Sequence, residues 1–152
     1  MAVVAVCGTP GTGKSTLLKR LSAKLSKRNI TCQFVNVSEL VKQERLYDHY
    51  DDDMDACVMD SAAVKRRLAC IITDAPHHVV IETHTPSVLP KKLISKCVVL
   101  QCQTHVLFDR LTERGYTPRK REENVQAEIM QVVLEEAHER IGAKRVLCMQ
   151  ND

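Results

Sequence analysis

Ala2-Val3-Val4-Ala5-Val6-Cys7-Gly8-Thr9-Pro10-Gly11-Thr12-Gly13-Lys14-Ser15-Thr16-Leu17-Leu18 is the stretch on which the fold turns. Its first six residues form a continuous apolar, largely β-branched run, the pattern of a strand buried on both faces. Three glycines and a proline then break the chain. From Lys14 to Lys27, Leu17, Leu18, Leu21 and Leu25 recur at helical spacing. The order is therefore strand, tight loop, helix. The loop residues Gly8 to Ser15 satisfy G-x-x-x-x-G-K-[ST] in full, in the strand-to-helix context the motif requires. Glycines let such a loop turn sharply and point several N–H groups inward, and the helix behind it adds its positive end. Lys14 then meets phosphate as a point charge, and the Ser15 hydroxyl is placed to hold Mg²⁺. A chance glycine-rich turn would have no reason to fall between these two elements.

Outward from this unit the chain repeats the alternation. Thr31 to Val37 reads as a second strand, with Ser38 as the cap of a short helix through Arg45. A helix is expected from Asp60 through Val64 and Leu68, ending before Pro76. Val79–Glu82, Cys97–Gln101 and Lys144–Met149 read as further short buried strands. Thr104 to Arg114 reads as one helix and Glu122 to Ile141 as a long one, its stripe formed by Val125, Ile129, Val132, Val133 and Ile141. Five apolar strands separated by helices predict an α/β fold: a five-stranded parallel sheet covered on both faces, in three layers, binding ligands at the carboxyl ends of its strands.

At 152 residues this is one domain, residues 1 to 152, with no room for a separate substrate domain. Only two Phe, three Tyr and no Trp are present, so the core must be aliphatic and stacking of bases on an aromatic platform is disfavoured. A net charge of +3 is too small for a dedicated duplex-DNA binder. The seven cysteines are scattered without C-x-x-C spacing, which argues against zinc or dithiol chemistry and for reduced, buried thiols. No apolar run is long enough to span a bilayer and no leader pattern opens the chain. The expected location is cytosolic or nuclear.

A phosphate loop needs a carboxylate from a neighbouring strand end, and Glu82 supplies one, with His84 two residues on. Glu82 is placed to hold a magnesium-bound water. His84 either orients the attacking or leaving group or merely caps a loop. Phosphoryl transfer also needs cations and the exclusion of water. Arg110 and Arg114, one helical turn apart, are expected to converge on one phosphate, and Arg119, Lys120 and Arg121 lie in a loop suited to a mobile lid. The opposite anomaly is Asp48 to Asp60, which holds six aspartates and no Lys or Arg.

Several segments beyond the phosphate loop carry a resemblance. They are Phe34-Val35-Asn36-Val37-Ser38-Glu39-Leu40, Leu46-Tyr47-Asp48-His49-Tyr50-Asp51-Asp52-Asp53, Val58-Met59-Asp60, Leu111-Thr112-Glu113-Arg114-Gly115-Tyr116, Asn124 to Ile129 and Leu134 to Ala137. In order and over nearly the whole chain they resemble the adenylate kinase isoenzyme 6 family, the coilin-interacting nuclear ATPases. The resemblance implies a nucleoside monophosphate kinase, ATP plus AMP to two ADP, with ATPase activity. It implies ATP contacts at Gly11, Gly13, Lys14, Ser15, Thr16 and Arg114. It also implies a monophosphate-binding arm of roughly residues 36 to 59, with Asn36, Ser38, Lys42 and Lys92 on the substrate, and a lid of roughly 113 to 123. As an alternative it implies an assembly factor for the small ribosomal subunit, acting in 18S rRNA maturation on a ribosomal protein of the uS11 type. Three departures stand out. The family's strand-end Asp-x-His is Glu82-Thr83-His84 here, two expected arginines fall on Lys42 and Lys92, and family members continue past the last strand.

Overall fold

The computed structural model describes residues 1–54 and 56–152; Asp55, one of the six aspartates of the acidic segment, lies outside the described residues. In chain order the elements are β1 (Val3–Cys7), α1 (Lys14–Lys27), β2 (Cys32–Asn36), α2 (Val37–Glu44), β3 (Tyr47–Asp51), β4 (Ala56–Met59), α3 (Ser61–Asp74), β5 (His78–Thr83), β6 (Lys96–Gln101), α4 (Thr104–Glu113), α5 (Pro118–Ile129), α6 (Val132–Ile141) and β7 (Val146–Gln150). β2, β5, β1, β6 and β7 form the parallel sheet in that order. β1 is central because its run is apolar on both faces.

The alternation along β5 shows how the layers form. Val79 and Ile81 point into the larger core with Val64, Leu68 and Ile72 of α3 and Val133, Ala137 and Ile141 of α6. Val80, between them, points to the other face and packs with Val6, Leu100 and Leu18 of α1. A third cluster, Cys102, Leu107 and Leu111, holds Tyr116 and Val125 and so ties α5 to α4. Among the described residues the fully buried hydrophobic side chains are all aliphatic or cysteine. On the edge strand β7, Leu147 and Met149 remain exposed.

Five details depart from the sequence reading. The second helix is capped by Asn36, whose side chain accepts the Glu39 N–H, and not by Ser38. The acidic segment, for which no strand was expected, contains β3 and β4, which pair antiparallel as a separate two-stranded hairpin. The expected long helix is two, α5 and α6, broken where Gln131 takes φ 54° and leaves Ile129 and Val132 exposed. The region after Gly115 is mostly helical, started by Thr117 accepting the Lys120 N–H with Pro118 in the first turn. Only Cys7, Cys97 and Cys102 of the seven free thiols are buried, while Cys70 and Cys148 are exposed. Both of these sit on outward positions, one on α3 and one on the edge strand.

Candidate active site at the phosphate loop

The loop between β1 and α1 closes under constraints that explain its glycines. Gly11 and Gly13 take φ of 94° and 95°, a region L side chains rarely adopt. A β-carbon at Gly13 would also collide with the amide of Asn151. That amide donates to the Thr12 carbonyl at 2.7 Å, while the Asn151 N–H donates to the Gln101 carbonyl at 2.7 Å. The loop is thus braced from behind by the residues that follow β7.

Lys14 is buried, its ammonium donating to the Gly8 carbonyl at 2.6 Å and the Thr9 carbonyl at 3.2 Å. Among the described residues neither Lys14 nor Arg114 has a carboxylate within 4.0 Å. Burial pulls the Lys14 pKa down to about 8, against the attraction of Glu82, and Arg114 adds to the lowering. A buried cation facing a second cation is a site that favours an anion.

Beside it, the Ser15 hydroxyl donates to Glu82 Oε1 at 2.7 Å. Glu82, next to last in β5, has 9% of its surface exposed. The described residues contain no group of three or more His, Cys, Asp or Glu side chains able to cage a metal. One hydroxyl and one carboxylate at a phosphate cradle are instead the donor set that suits Mg²⁺, which keeps waters and takes phosphate oxygens for its remaining positions.

These groups line one cleft of about 580 Å³ at the carboxyl ends of the strands, within the range of small-molecule sites. Gly11, Gly13, Lys14, Ser15 and Glu82 form its floor. Asn36, Ser38, Val41 and Lys42 of β2 and α2, with Tyr50, Cys57 and Met59 of the hairpin, form one wall. His84, Arg114, Tyr116, Lys120 and Asn124 form the other. The cleft walls and the ammonium groups of Lys14 and Lys120 push the His84 pKa down to about 4. His84 is nonetheless exposed, so it is the two ammonium charges that favour its neutral form in the free protein.

Three expected site residues lie elsewhere. Arg110 does not converge with Arg114: its Nη1 donates to the Gly11 carbonyl at 3.3 Å and the Asn151 carbonyl at 3.1 Å, behind the loop and outside the cleft. Lys92 sits in a short 3₁₀ turn before β6, and β6 begins with Lys96 opposite Val4. That is the amino-terminal end of the sheet, away from the cleft. Thr16 is exposed on the first turn of α1 and is not part of the cleft wall.

Comparison with known proteins shows the family. The family model described as "AAA domain" matches residues 4–131. An adenylate kinase isoenzyme 6 homologue of Caenorhabditis elegans is 34% identical over 136 residues, covering 90% of this chain and 72% of that protein. The chain belongs to the adenylate kinase isoenzyme 6 family. A homologue of the same family from Saccharomyces cerevisiae is 32% identical over 149 residues, or 98% of this chain and 73% of its own. Among solved structures, shikimate kinase of Bacteroides thetaiotaomicron superposes with a TM-score of 0.63 at 16% identity, covering 99% of this chain and 86% of that one. At that identity the likeness speaks to the fold alone, the three-layer P-loop kinase fold expected from the strands.

As a member of the adenylate kinase isoenzyme 6 family the chain is an enzyme of the P-loop kinase type. The apolar lining of its cleft, Val41, Cys57 and Met59, falls within the expected arm of residues 36 to 59, but these residues were not singled out. No local pattern marks them, because they meet only when the hairpin folds over α2. Sequence reasoning placed Lys120 among the lid cations but gave no role to Asn124, which lies one helical turn from it on α5. That spacing was a usable signal once the segment was known to be helical.

Proposed function

We propose that this enzyme transfers the γ-phosphoryl group of ATP to a nucleoside monophosphate, AMP or a close relative. The observation that carries the reading is the two-sidedness of the cleft. A phosphate cradle with Lys14 forms one side, and a separate wall from α2 and the β3–β4 hairpin faces it, with Arg114 and Lys120 in the same space. In this reading residues 36 to 59 are the monophosphate arm and residues 113 to 123 belong to the lid. Magnesium, when bound with ATP, would neutralise charge on the β- and γ-phosphates, and Ser15 and Glu82 are the residues that would hold it. Lys14 and the N–H groups of Gly11 to Ser15 hold the phosphates in line. Arg114 stabilises charge on the transferring group. Ser38 and Lys42 face the acceptor, and neutral His84 orients the oxygen that attacks or leaves. Closure of α5 over the cleft excludes water, without which hydrolysis competes.

One observation favours a second reading. Of the two lysines expected at the monophosphate, Lys92 lies at the far end of the sheet, and Lys42 lacks the bidentate fork of an arginine. A weakly held acceptor leaves ATP hydrolysis as the main reaction. The enzyme would then act as an ATP-driven switch on a ribosomal protein of the uS11 type in small-subunit maturation, in nucleus and cytoplasm. Measuring ATP consumption with and without AMP, CMP or UMP separates the readings. Strong stimulation by one monophosphate supports the kinase, whereas a rate indifferent to all three supports the switch. Among the described residues no helix is long and apolar enough to cross a membrane, and a role on duplex DNA is not part of either reading.

A further inference from the structure

Asn36 stands at the junction of β2 and α2, opposite Glu82 in the parallel register. Its amide is used at both ends. Nδ2 donates to Glu82 Oε2 at 3.2 Å, and Oδ1 accepts the Glu39 N–H at 3.1 Å, capping α2. The other oxygen of the same carboxylate, Oε1, takes the Ser15 hydroxyl. The terminal torsion of a glutamate is broad and soft, so a carboxylate held at one oxygen still swings. Held at both, its plane is fixed. Each oxygen keeps a further lone pair free for a metal or its waters.

We propose that Asn36 is a positioning residue: it fixes the plane of the Glu82 carboxylate for magnesium and ties that orientation to α2, the helix that carries Ser38, Val41 and Lys42 into the cleft. The proposal rests on the Mg-nucleotide reading above and extends it. Asn36 then faces the magnesium side through Glu82 and does not serve primarily as a substrate contact. It also joins the two halves of the site, because the atom that caps α2 and the atom that holds Glu82 belong to one rigid amide. A displacement of the α2 amino terminus by a ligand moves Nδ2, and with it the carboxylate.

Asn36→Ser separates the two roles. Serine keeps a capping oxygen for α2 but is too short to reach Glu82. The measurement is ADP binding to the full chain by calorimetry, repeated over a range of Mg²⁺ concentrations. Asn36→Ser is expected to raise the half-saturating Mg²⁺ concentration about tenfold. Metal-free ADP affinity should stay within about twofold, since no direct phosphate contact is removed. In a Glu82→Gln background the same change is expected to add nothing, because the carboxylate it positions is gone. Asn36→Thr, also a capping residue, serves if the serine variant does not fold. A half-saturating Mg²⁺ concentration equal to wild type, or a shift that persists undiminished beside Glu82→Gln, overturns the proposal. Failure of the nucleotide reading would show earlier and differently, as wild-type protein that binds no ADP at any Mg²⁺ concentration, and it takes this proposal with it.

Discussion

In the proposed reaction Lys14 holds the phosphates, and its environment sets its behaviour. Its depressed pKa of about 8 comes from burial, and a bound polyphosphate opposes that shift. Near pH 8 the free protein holds Lys14 partly deprotonated, and the nucleotide complex holds it charged, so binding takes up a proton. Calorimetric titrations with Mg-ATP, whose phosphates are already ionised at both pH values, in two buffers of different ionisation enthalpy should give different apparent enthalpies at pH 8, and the same one at pH 6.5. His84 gives the opposite expectation. In the free protein, with its pKa pushed down to about 4, it is neutral from pH 6 to 8, so no histidine limb is expected there in the profile of kcat/KM, which reports the free enzyme. A limb near pH 6.5 that disappears in His84→Gln would contradict this. Gly13→Ala meets both an unfavourable φ and the Asn151 amide, and should lower stability by about 1–3 kcal/mol in a denaturant titration. The loop was legible in the letters because its chemistry requires specific residues at fixed spacing. Arg110 was misread because helical spacing says that two arginines are neighbours and not which of them a loop carbonyl captures.

Elements were legible where burial writes a pattern and obscure where it does not. β1, β5 and β6 showed as buried apolar runs; β7, expected to be buried, also reads as apolar but lies mostly exposed at the sheet edge. The β3–β4 hairpin showed no such run, since Tyr47 to Asp51 is almost wholly exposed and holds aspartates that strands usually avoid. The break between α5 and α6 falls at Gln131 in a left-handed conformation with neither glycine nor proline to announce it. Asp60, expected as the first helical residue, is instead the cap of α3 and accepts the Ala63 N–H at 3.1 Å. Asp60→Ala should therefore cost about 1 kcal/mol, read as a fall in Tm of about 2–4 °C. Across the mouth of the cleft, Arg119 of α5 lies 3.5 Å from Asp53 at the hairpin tip, with both groups exposed. Such a pair contributes under about 1 kcal/mol, so Asp53→Asn should leave Tm nearly unchanged.

At the scale of the molecule, one sheet end gathers the cradle, the carboxylate of β5, the capped start of α2 and the carboxyl end of α4. Parallel topology does this, because every crossover returns the chain so that strand ends of one polarity meet. Lys92 shows the same rule from the other side: the family resemblance implied a place on the substrate, but its position before β6 puts it at the other end of the sheet. The central claim is that the gathered groups move a phosphoryl group between nucleotides. AMP labelled in its base, incubated with Mg-ATP, tests it most directly. The account predicts label recovered in ADP by the wild-type protein and none above background with Lys14→Met. Label that stays in AMP while ATP is consumed to ADP and inorganic phosphate would contradict it.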